Sequence, residues 1–201
     1  MTTRVAIMVS GTGTNMEVLL DAMADSDFGA NPVMVLSNRP GIPALEKAAN
    51  RGIRVVCIDH RHYPDNRLDF DAAIDAALRQ ARVSVVCLAG FMRILGFQFV
   101  SAWKGRILNI HPSLLPEFPG LDTHRRVIET GKTFSGCTVH AVTPELDAGP
   151  ILGQAAVPVL PDDTPTCLAA RVNRAEHRLY PAVLRRFLNK RRETPTRLTT
   201  P

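Results

Sequence analysis

Residues 4–15 read RVAIMVSGTGTN, a nearly continuous apolar run followed by a turn that carries two glycines. An unbroken apolar run of this length is typical of a strand that is covered on both faces, as in a parallel sheet. The stretch that follows, from about Asn15 to Asp25, has the pattern of a helix. These residues predict a strand, a tight turn and a helix, which form the first unit of an α/β fold.

The same alternation continues toward residue 110. Further strands are predicted over 32–37, 53–58, 83–88 and 106–110, and helices over 44–51, 67–82 and 95–104. Strands that alternate with helices imply right-handed crossovers and a doubly wound, mostly parallel twisted sheet with helices on both faces. Sheets of this kind bind their ligands at the carboxyl ends of the strands.

The second half of the chain predicts a helix over 123–130, two strands over 136–142 and 151–159, and a long helix over 165–188. The two strands flank a turn-rich segment, so we expect them to extend the sheet in antiparallel fashion. One domain is therefore expected over 1–189. The remainder, 190–201, is rich in Thr, Pro and Arg and is expected to be a disordered tail.

The composition excludes several classes of protein. The 201 residues suffice for one domain with a substantial core, and the 45% hydrophobic and 21% charged residues argue against intrinsic disorder. No apolar run approaches the roughly 18 residues of a membrane span, and the start of the sequence lacks a secretory signal pattern. The net charge of +5 comes from dispersed basic residues, and 5% of the residues are aromatic. We therefore expect a cytoplasmic protein that binds neither membranes nor nucleic acid.

The turn SGTGTN, residues 10–15, ends one predicted strand and opens a helix. Backbone N–H groups at the start of a helix favour an anion such as phosphate. A dinucleotide-binding fingerprint needs a glycine at position 16, where Met16 stands, and no Gly-Lys-Ser/Thr follows to form a P-loop. NAD and ATP are therefore disfavoured, which leaves a phosphate site or a tight turn without a ligand.

An amide and an imidazole occur together at the end of the strand predicted over 106–110. Asn109 and His111 are two residues apart, so their side chains lie on the same side of the chain. One group can donate a hydrogen bond while the other exchanges a proton, and Asp147, on a predicted turn, is a candidate partner for the imidazole. A structural histidine and an ordinary aspartate turn are the alternatives.

His124 and His140 are the residues that would join His111 in a metal site. The sequence has no HxxxH or HxH spacing for these histidines, and its four cysteines stand at least 30 residues apart. No metal site is therefore expected, and the thiols are expected to be reduced and mostly buried. The segment FMRIL, residues 91–95, suits a flat heteroaromatic ligand that carries carboxylates, with core packing beside a surface arginine as the alternative.

Five segments occur in an order and spacing that is typical of one known family: SGTGTN, AGFMRIL, LNIHPSLLPEFPGLDTHR, GCTVH and ELDAGPILGQ. In these segments the chain resembles the glycinamide ribonucleotide (phosphoribosylglycinamide) formyltransferases, a branch of the folate-dependent formyltransferase family. The resemblance extends to about residue 189. It implies the formyltransferase fold and a reaction in purine biosynthesis, in which 10-formyltetrahydrofolate gives its formyl group to the amine of 5-phosphoribosylglycinamide.

The resemblance also implies the residues and partners of this reaction. The folate is a co-substrate, no metal or nucleotide cofactor is needed, and the protein is a monomer or homodimer with small-molecule partners. By matching motif, the catalytic residues are Asn109, His111 and Asp147. Phosphoribosylglycinamide is expected to bind at Gly13, Thr14, Asn15, Asn173 and Glu176. The folate is expected to bind at Arg67, Met92, Arg93, Ile94, Leu95, Val100, Leu108, Asn109, Thr143, Pro144, Glu145, Leu146 and Asp147.

Three other functions are alternatives. A 10-formyltetrahydrofolate hydrolase resembles the chain in its catalytic residues but carries an additional N-terminal domain, for which we expect no room before Arg4. A methionyl-tRNA formyltransferase needs a C-terminal tRNA-binding domain, and we expect the few residues after Leu188 to be too short for one. A non-catalytic module that binds a ligand or nucleic acid leaves the combination of Asn109, His111 and Asp147 unexplained.

Overall fold

A computed structural model describes residues 2–64 and 66–193 of the protein. The strands of these residues are β1 Thr3–Val9, β2 Ala30–Ser37, β3 Val55–Cys57, β4 Val85–Leu88, β5 Ile107–His111, β6 Phe134–Ala141 and β7 Ile151–Pro158. The helices are α1 Thr14–Met23, α2 Pro43–Asn50, α3 Arg67–Gln80, α4 Phe97–Ala102, α5 Thr123–Glu129 and α6 Pro165–Glu193. Two short 3-10 helices, Ser26–Phe28 and His60–His62, were not predicted.

The strands form one twisted sheet in the order β3-β2-β1-β4-β5-β6-β7. Strands β1 to β5 are parallel to one another, whereas β6 is antiparallel to both β5 and β7. The predicted doubly wound sheet with an antiparallel extension is confirmed. The strand order reverses between β1 and β4, and their carboxyl ends therefore open a crevice in which ligands of α/β proteins commonly bind.

Strand β1 is buried on both faces. Val5, Ile7 and Val9 belong to a core beneath α1, α2 and α6, while Ala6 and Met8 belong to a core beneath α3 and α4. Successive side chains of a strand point to opposite faces, so both sets must be apolar when helices cover both sides. This double coverage explains why residues 5–9 are continuously apolar rather than alternating.

Several predicted boundaries are wrong. Strand β3 is shorter than predicted because it lies at the edge of the sheet and pairs only with Val35–Ser37 of β2. Helix α6 runs to Glu193, so residues 190–193 are helical rather than disordered, and the boundary predicted at residue 189 falls inside this helix. Basic residues near a helix C-terminus interact favourably with its dipole, and Arg192 also donates to the Gly29 carbonyl at 2.8 Å. The rest of the predicted tail, 194–201, lies outside the described residues.

The four cysteines divide into two groups. Cys87 and Cys137 are buried, and burial raises the pKa of each thiol to about 12. Cys57 and Cys167 are exposed, so the expectation of mostly buried thiols is correct for only half of them. Within residues 2–64 and 66–193, no helix is both long enough and apolar enough to cross a membrane.

Tyr180 of α6 connects this helix to strands β4 and β5. Its side chain is fully buried, and its hydroxyl lies 3.1 Å from both the Leu88 and the Leu108 carbonyl oxygens. Burial raises the pKa of the phenol well above its ordinary value, so the group remains a neutral donor. Because Leu88 ends β4 and Leu108 precedes Asn109 on β5, this contact helps to fix where both strands end.

We expect Tyr180→Phe to lower the free energy of unfolding by about 1 kcal/mol, because it removes a buried hydrogen bond without changing the ring. Denaturant unfolding followed by circular dichroism measures this change. Tyr63→Phe is the matched control, since Tyr63 is only half-buried and packs edge-on against Phe70. Equal losses in the two variants would contradict the role assigned to the Tyr180 hydroxyl.

Candidate active site

A cavity of about 540 Å³ opens at the carboxyl ends of β4 and β5. Its wall includes three segments: the β4–α4 loop (residues 89–96), the β5–α5 loop (residues 112–122) and the β6–β7 loop (residues 142–150). Apolar side chains stand exposed at this wall, among them Met92 (64%), Ile94 (53%) and Leu146 (57%). Ligand pockets are typically apolar with a few convergent polar groups, and this wall fits a flat, largely apolar ligand.

Asn109 and His111 project from the same face of β5, as predicted from their spacing. Strand β6 pairs with β5 so that Asn109 is opposite His140. The Asn109 Nδ2 and His140 Nε2 atoms are 3.1 Å apart, and His140 Nδ1 is 3.1 Å from the Ala141 carbonyl oxygen. The Asn109 amide has two N–H groups, and the contact with His140 engages one of them. One N–H of the Asn109 amide then remains for a ligand.

Asp147 lies between two imidazoles. Its Oδ2 is 3.4 Å from His111 Nδ1 and accepts the Gly120 N–H at 2.9 Å, while its Oδ1 is 3.7 Å from His140 Nε2. Burial opposes ionisation of the carboxyl group, but His140, the Gly120 N–H and the charge of His111 together lower the pKa of Asp147 below its usual range. Asp147 is therefore an anion that can orient the His111 ring.

The second ring nitrogen of His111 also faces an acceptor. His111 Nε2 is 2.9 Å from the Phe118 carbonyl oxygen, which also accepts the Ser113 hydroxyl at 3.2 Å. Both nitrogens of this nearly buried ring thus face oxygen atoms. These contacts hold the His111 ring in one orientation beside the Asn109 amide.

The β5–α5 loop is held against β6 by a buried hydroxyl. Thr138 Oγ accepts the Leu115 N–H at 3.0 Å and donates to the Ser113 carbonyl at 2.7 Å. Gln154 of β7 donates to the same hydroxyl oxygen and to the Leu115 carbonyl. These bonds fix the loop that supplies Phe118 and Gly120 to the site.

The five residues predicted to hold the ribonucleotide form a second cluster, between α1 and α6. Glu176 Oε2 accepts from Asn15 Nδ2 at 2.8 Å and from Asn173 Nδ2 at 3.1 Å, and Asn173 also lies 3.3 Å from Thr14 Oγ. Gly13 caps α1 with a φ of 78° and no side-chain bond, which leaves the first backbone N–H groups of the helix for an anion. None of the five lines the 540 Å³ cavity.

His124 lies between the two clusters. Burial lowers its pKa, the nearby Glu176 carboxylate opposes this shift, and the charge of His111 adds to it. His124 also lines the cavity, which places a neutral imidazole between the catalytic candidates and the predicted ribonucleotide site.

Most of the residues predicted to bind the folate belong to the cavity wall, but two do not. The side chain of Leu108 alternates with Asn109 and is fully buried in the core on the α6 face. Arg67 lies at the start of α3, outside the cavity wall, where its charge and that of Arg93 act on Asp71. The lining residues from the predicted set are Met92, Arg93, Ile94, Leu95, Val100, Asn109, Thr143, Pro144, Glu145, Leu146 and Asp147.

From the sequence, His124 and His140 were expected only as alternative metal ligands. Their positions beside Glu176 and Asn109 follow from pairings between distant segments, which no local pattern reveals. The antiparallel register that places Asn109 opposite His140 is the signal that would have found His140. Across the parts of the chain that the structure describes, no group of three or more His, Cys, Asp or Glu side chains has an arrangement that could hold a metal ion.

We expect the stabilising contribution of the Asp147 charge to depend on pH. Its folded-state pKa is lowered, so the contribution is complete above the unfolded carboxyl pKa of about 4 and is lost as the pH falls through the folded-state value. Asp147 has a φ of 51°, a conformation that asparagine also tolerates. Asp147→Asn should therefore lower the unfolding free energy by about 1 kcal/mol at neutral pH.

Denaturant unfolding of the native protein and of Asp147→Asn at several pH values measures this difference. The gap between the two proteins should close below about pH 4. A gap that persists in strong acid would contradict the role of the charge.

Comparisons with known proteins identify the family of the chain. A family profile described as formyl transferase matches residues 3–184. The trifunctional purine biosynthetic protein adenosine-3 of Homo sapiens is 48% identical over 90% of the chain, which spans only 18% of that protein. The phosphoribosylglycinamide formyltransferase of Escherichia coli (strain K12) is 40% identical, with 93% of this chain and 88% of the relative covered.

Solved structures show the same fold. The phosphoribosylglycinamide formyltransferase from Brucella melitensis is 47% identical with a TM-score of 0.89, and the match covers 94% of this chain and 96% of that one. Glycinamide ribonucleotide transformylase 1 from Symbiobacterium toebii is 43% identical with a TM-score of 0.91 and covers 94% and 89%. Because the family profile spans most of the chain and the fold agrees with both structures, the chain belongs to the formyl transferase family.

Proposed function

We propose that the protein transfers the formyl group of 10-formyltetrahydrofolate to the amine of 5-phosphoribosylglycinamide, which gives formylglycinamide ribonucleotide and tetrahydrofolate in purine biosynthesis. The observation that carries the proposal is the grouping of Asn109, His111 and Asp147 at the wall of an apolar cavity. The relatives from Escherichia coli and Brucella melitensis are named for this reaction and match the chain over most of both lengths, which supports the same assignment.

The folate occupies the cavity in this proposal. Exposed apolar side chains of the β4–α4 and β6–β7 loops pack against the flat pterin ring, and the β6–β7 loop supplies polar main-chain groups to its edge. Arg93, at the cavity wall, and Arg67, outside it, attract the carboxylates of the folate tail. The tail extends toward α3, where Arg67 lies.

The ribonucleotide binds at the cluster between α1 and α6. Its phosphate accepts backbone N–H bonds at the start of α1, where Gly13 adopts a φ of 78° and packs closely against Ala44. The Glu176 carboxylate, already held by Asn15 and Asn173, accepts hydrogen bonds from the ribose hydroxyls. The glycinamide amine then points past His124 toward His111.

The reaction needs one bond formed, one bond broken and one proton moved. The neutral amine attacks the formyl carbon, and the negative charge that develops on the formyl oxygen is stabilised by the free Asn109 N–H and by the His111 side chain. Collapse of the tetrahedral intermediate breaks the bond to the folate nitrogen. A proton lost by the attacking amine reaches that nitrogen through His111, which Asp147 orients.

The remaining expectations concern context. Both substrates are small and water-soluble, so the protein is proposed to act in the cytoplasm, without nucleic acid, membrane, metal or nucleotide cofactor. Its state as monomer or homodimer stays a prediction.

The identity of the amine that accepts the formyl group tests the proposed function most directly. We expect the native protein to form tetrahydrofolate from 10-formyltetrahydrofolate only when phosphoribosylglycinamide is present, and to use glycinamide without the phosphoribosyl group far more slowly. Gly13→Ala should weaken binding of the ribonucleotide and leave binding of the folate unchanged. A Cβ at this position lies 2.7 Å from the Ala44 Cβ, and the φ of 78° disfavours alanine.

Gly11→Ala is the matched control, since a Cβ added there has no described residue within 4 Å other than its two neighbours in the chain. Product formation is followed with both amines in all three proteins, and folate affinity is measured by titration. Formation of tetrahydrofolate at the same rate with and without an amine would instead identify a hydrolase. Equal use of the two amines would contradict the phosphate site.

We expect His111→Ala and Asn109→Ala each to lower the single-turnover rate by roughly 10²- to 10⁴-fold, the range for loss of a positioned proton donor or an oxyanion donor. Both proteins should remain folded by circular dichroism. His62→Ala is the control, because His62 lies in the 3-10 helix His60–His62, outside the cavity wall. A folded His111→Ala protein with unchanged activity would contradict the mechanism.

A further inference from the structure

Ser10 is a buried side chain that the mechanism above does not use. It follows β1 directly and opens the β1–α1 turn (residues 10–13), and only 5% of it is exposed. The turn continues to Gly13, where the phosphate is proposed to bind. Ser10 therefore lies at the point where the strand order reverses.

Ser10 is bonded twice to the β4–α4 loop. Its N–H donates to the Gly90 carbonyl at 3.1 Å, and its Oγ accepts the Met92 N–H at 2.8 Å. The first bond needs only the main chain and is available to any residue other than proline. The second bond needs the hydroxyl, and it joins the turn to the segment that forms the cavity wall.

The direction of the hydroxyl is fixed by Asn38. Ser10 Oγ donates its proton to Asn38 Oδ1 at 2.6 Å, and Asn38 is itself almost fully buried in the segment after β2. With the proton engaged there, the oxygen presents a lone pair to the Met92 N–H. Its proton and an acceptor position are thus both engaged by protein groups.

We propose that Ser10 is a positioning residue, which holds the β4–α4 loop at a fixed separation from the β1–α1 turn so that the formyl carbon and the acceptor amine meet. The inference rests on the proposed function, in which one reactant binds on each side of Ser10. A shift of about 1 Å between reacting groups is enough to cost 10²-fold in rate. The hydroxyl acts through Met92 and touches neither reactant.

Amide hydrogen exchange tests the bond without any substrate. In Ser10→Ala, the Met92 N–H loses its acceptor, and its exchange should become about tenfold faster or more, as expected for loss of one hydrogen bond. Ser37→Ala is the matched control, because Ser37 is also fully buried at a strand end but its Oγ bonds to the main chain of Arg39. It should leave Met92 exchange unchanged.

Single-turnover kinetics test the positioning role. With both substrates saturating, Ser10→Ala should lower the rate roughly 10- to 100-fold, while the dissociation constant of each substrate measured alone changes by much less. Ser10→Thr keeps a hydroxyl and should restore both the rate and the protection of Met92. Ser37→Ala should keep the native rate.

Each outcome has a separate meaning. Unchanged Met92 exchange in Ser10→Ala, or parallel losses of rate and substrate affinity, would overturn the proposal for Ser10. A native protein that does not react with the two named substrates would overturn the proposed function, and the exchange measurement would still decide whether Ser10 holds Met92.

Discussion

The antiparallel pairing of β5 with β6 brings the reactive groups together. A further parallel strand after β5 would have carried the chain away from the site through a crossover helix. The reversal instead sets His140 opposite Asn109, and the loop that continues from β6 returns Asp147 to the side of His111. Each of the three groups thereby has a neighbour that fixes its orientation before any substrate arrives.

Preorganisation of this kind leaves polar atoms in the interior. Asn15 Oδ1 and His124 Nδ1 are buried without a hydrogen-bond partner among the described residues, and both belong to the region proposed for the ribonucleotide. Burial of an unpaired polar atom lowers stability, and natural proteins concentrate such violations at functional sites. The same reasoning applies to Asp147, whose left-handed backbone is unfavourable for most residues but places its carboxylate between two imidazoles.

The order and type of the helices and strands could be predicted because they depend on local patterns of apolar and polar residues. Burial of β1 on both faces makes residues 5–9 continuously apolar, and the shared side of Asn109 and His111 follows from strand geometry alone. The contacts of His140 and His124 could not be predicted this way, because they depend on register between segments far apart in the chain. The end of α6 was missed for a related reason, since Arg192 is held by Gly29, a residue near the other end of the chain.

Helix α6 contacts nearly every layer that this site requires. Pro165 lines the cavity, Glu176 belongs to the cluster proposed for the ribonucleotide, Tyr180 bonds to β4 and β5, and Arg192 donates to the residue before β2. Proteins are synthesised from the N-terminus, so the strands of the sheet emerge from the ribosome before this helix does. Until residues 165–193 have been added, the face of β1, β4 and β5 that α6 packs against lacks the part of its cover that this helix supplies, and the nascent chain exposes apolar surface of the kind that chaperones recognise.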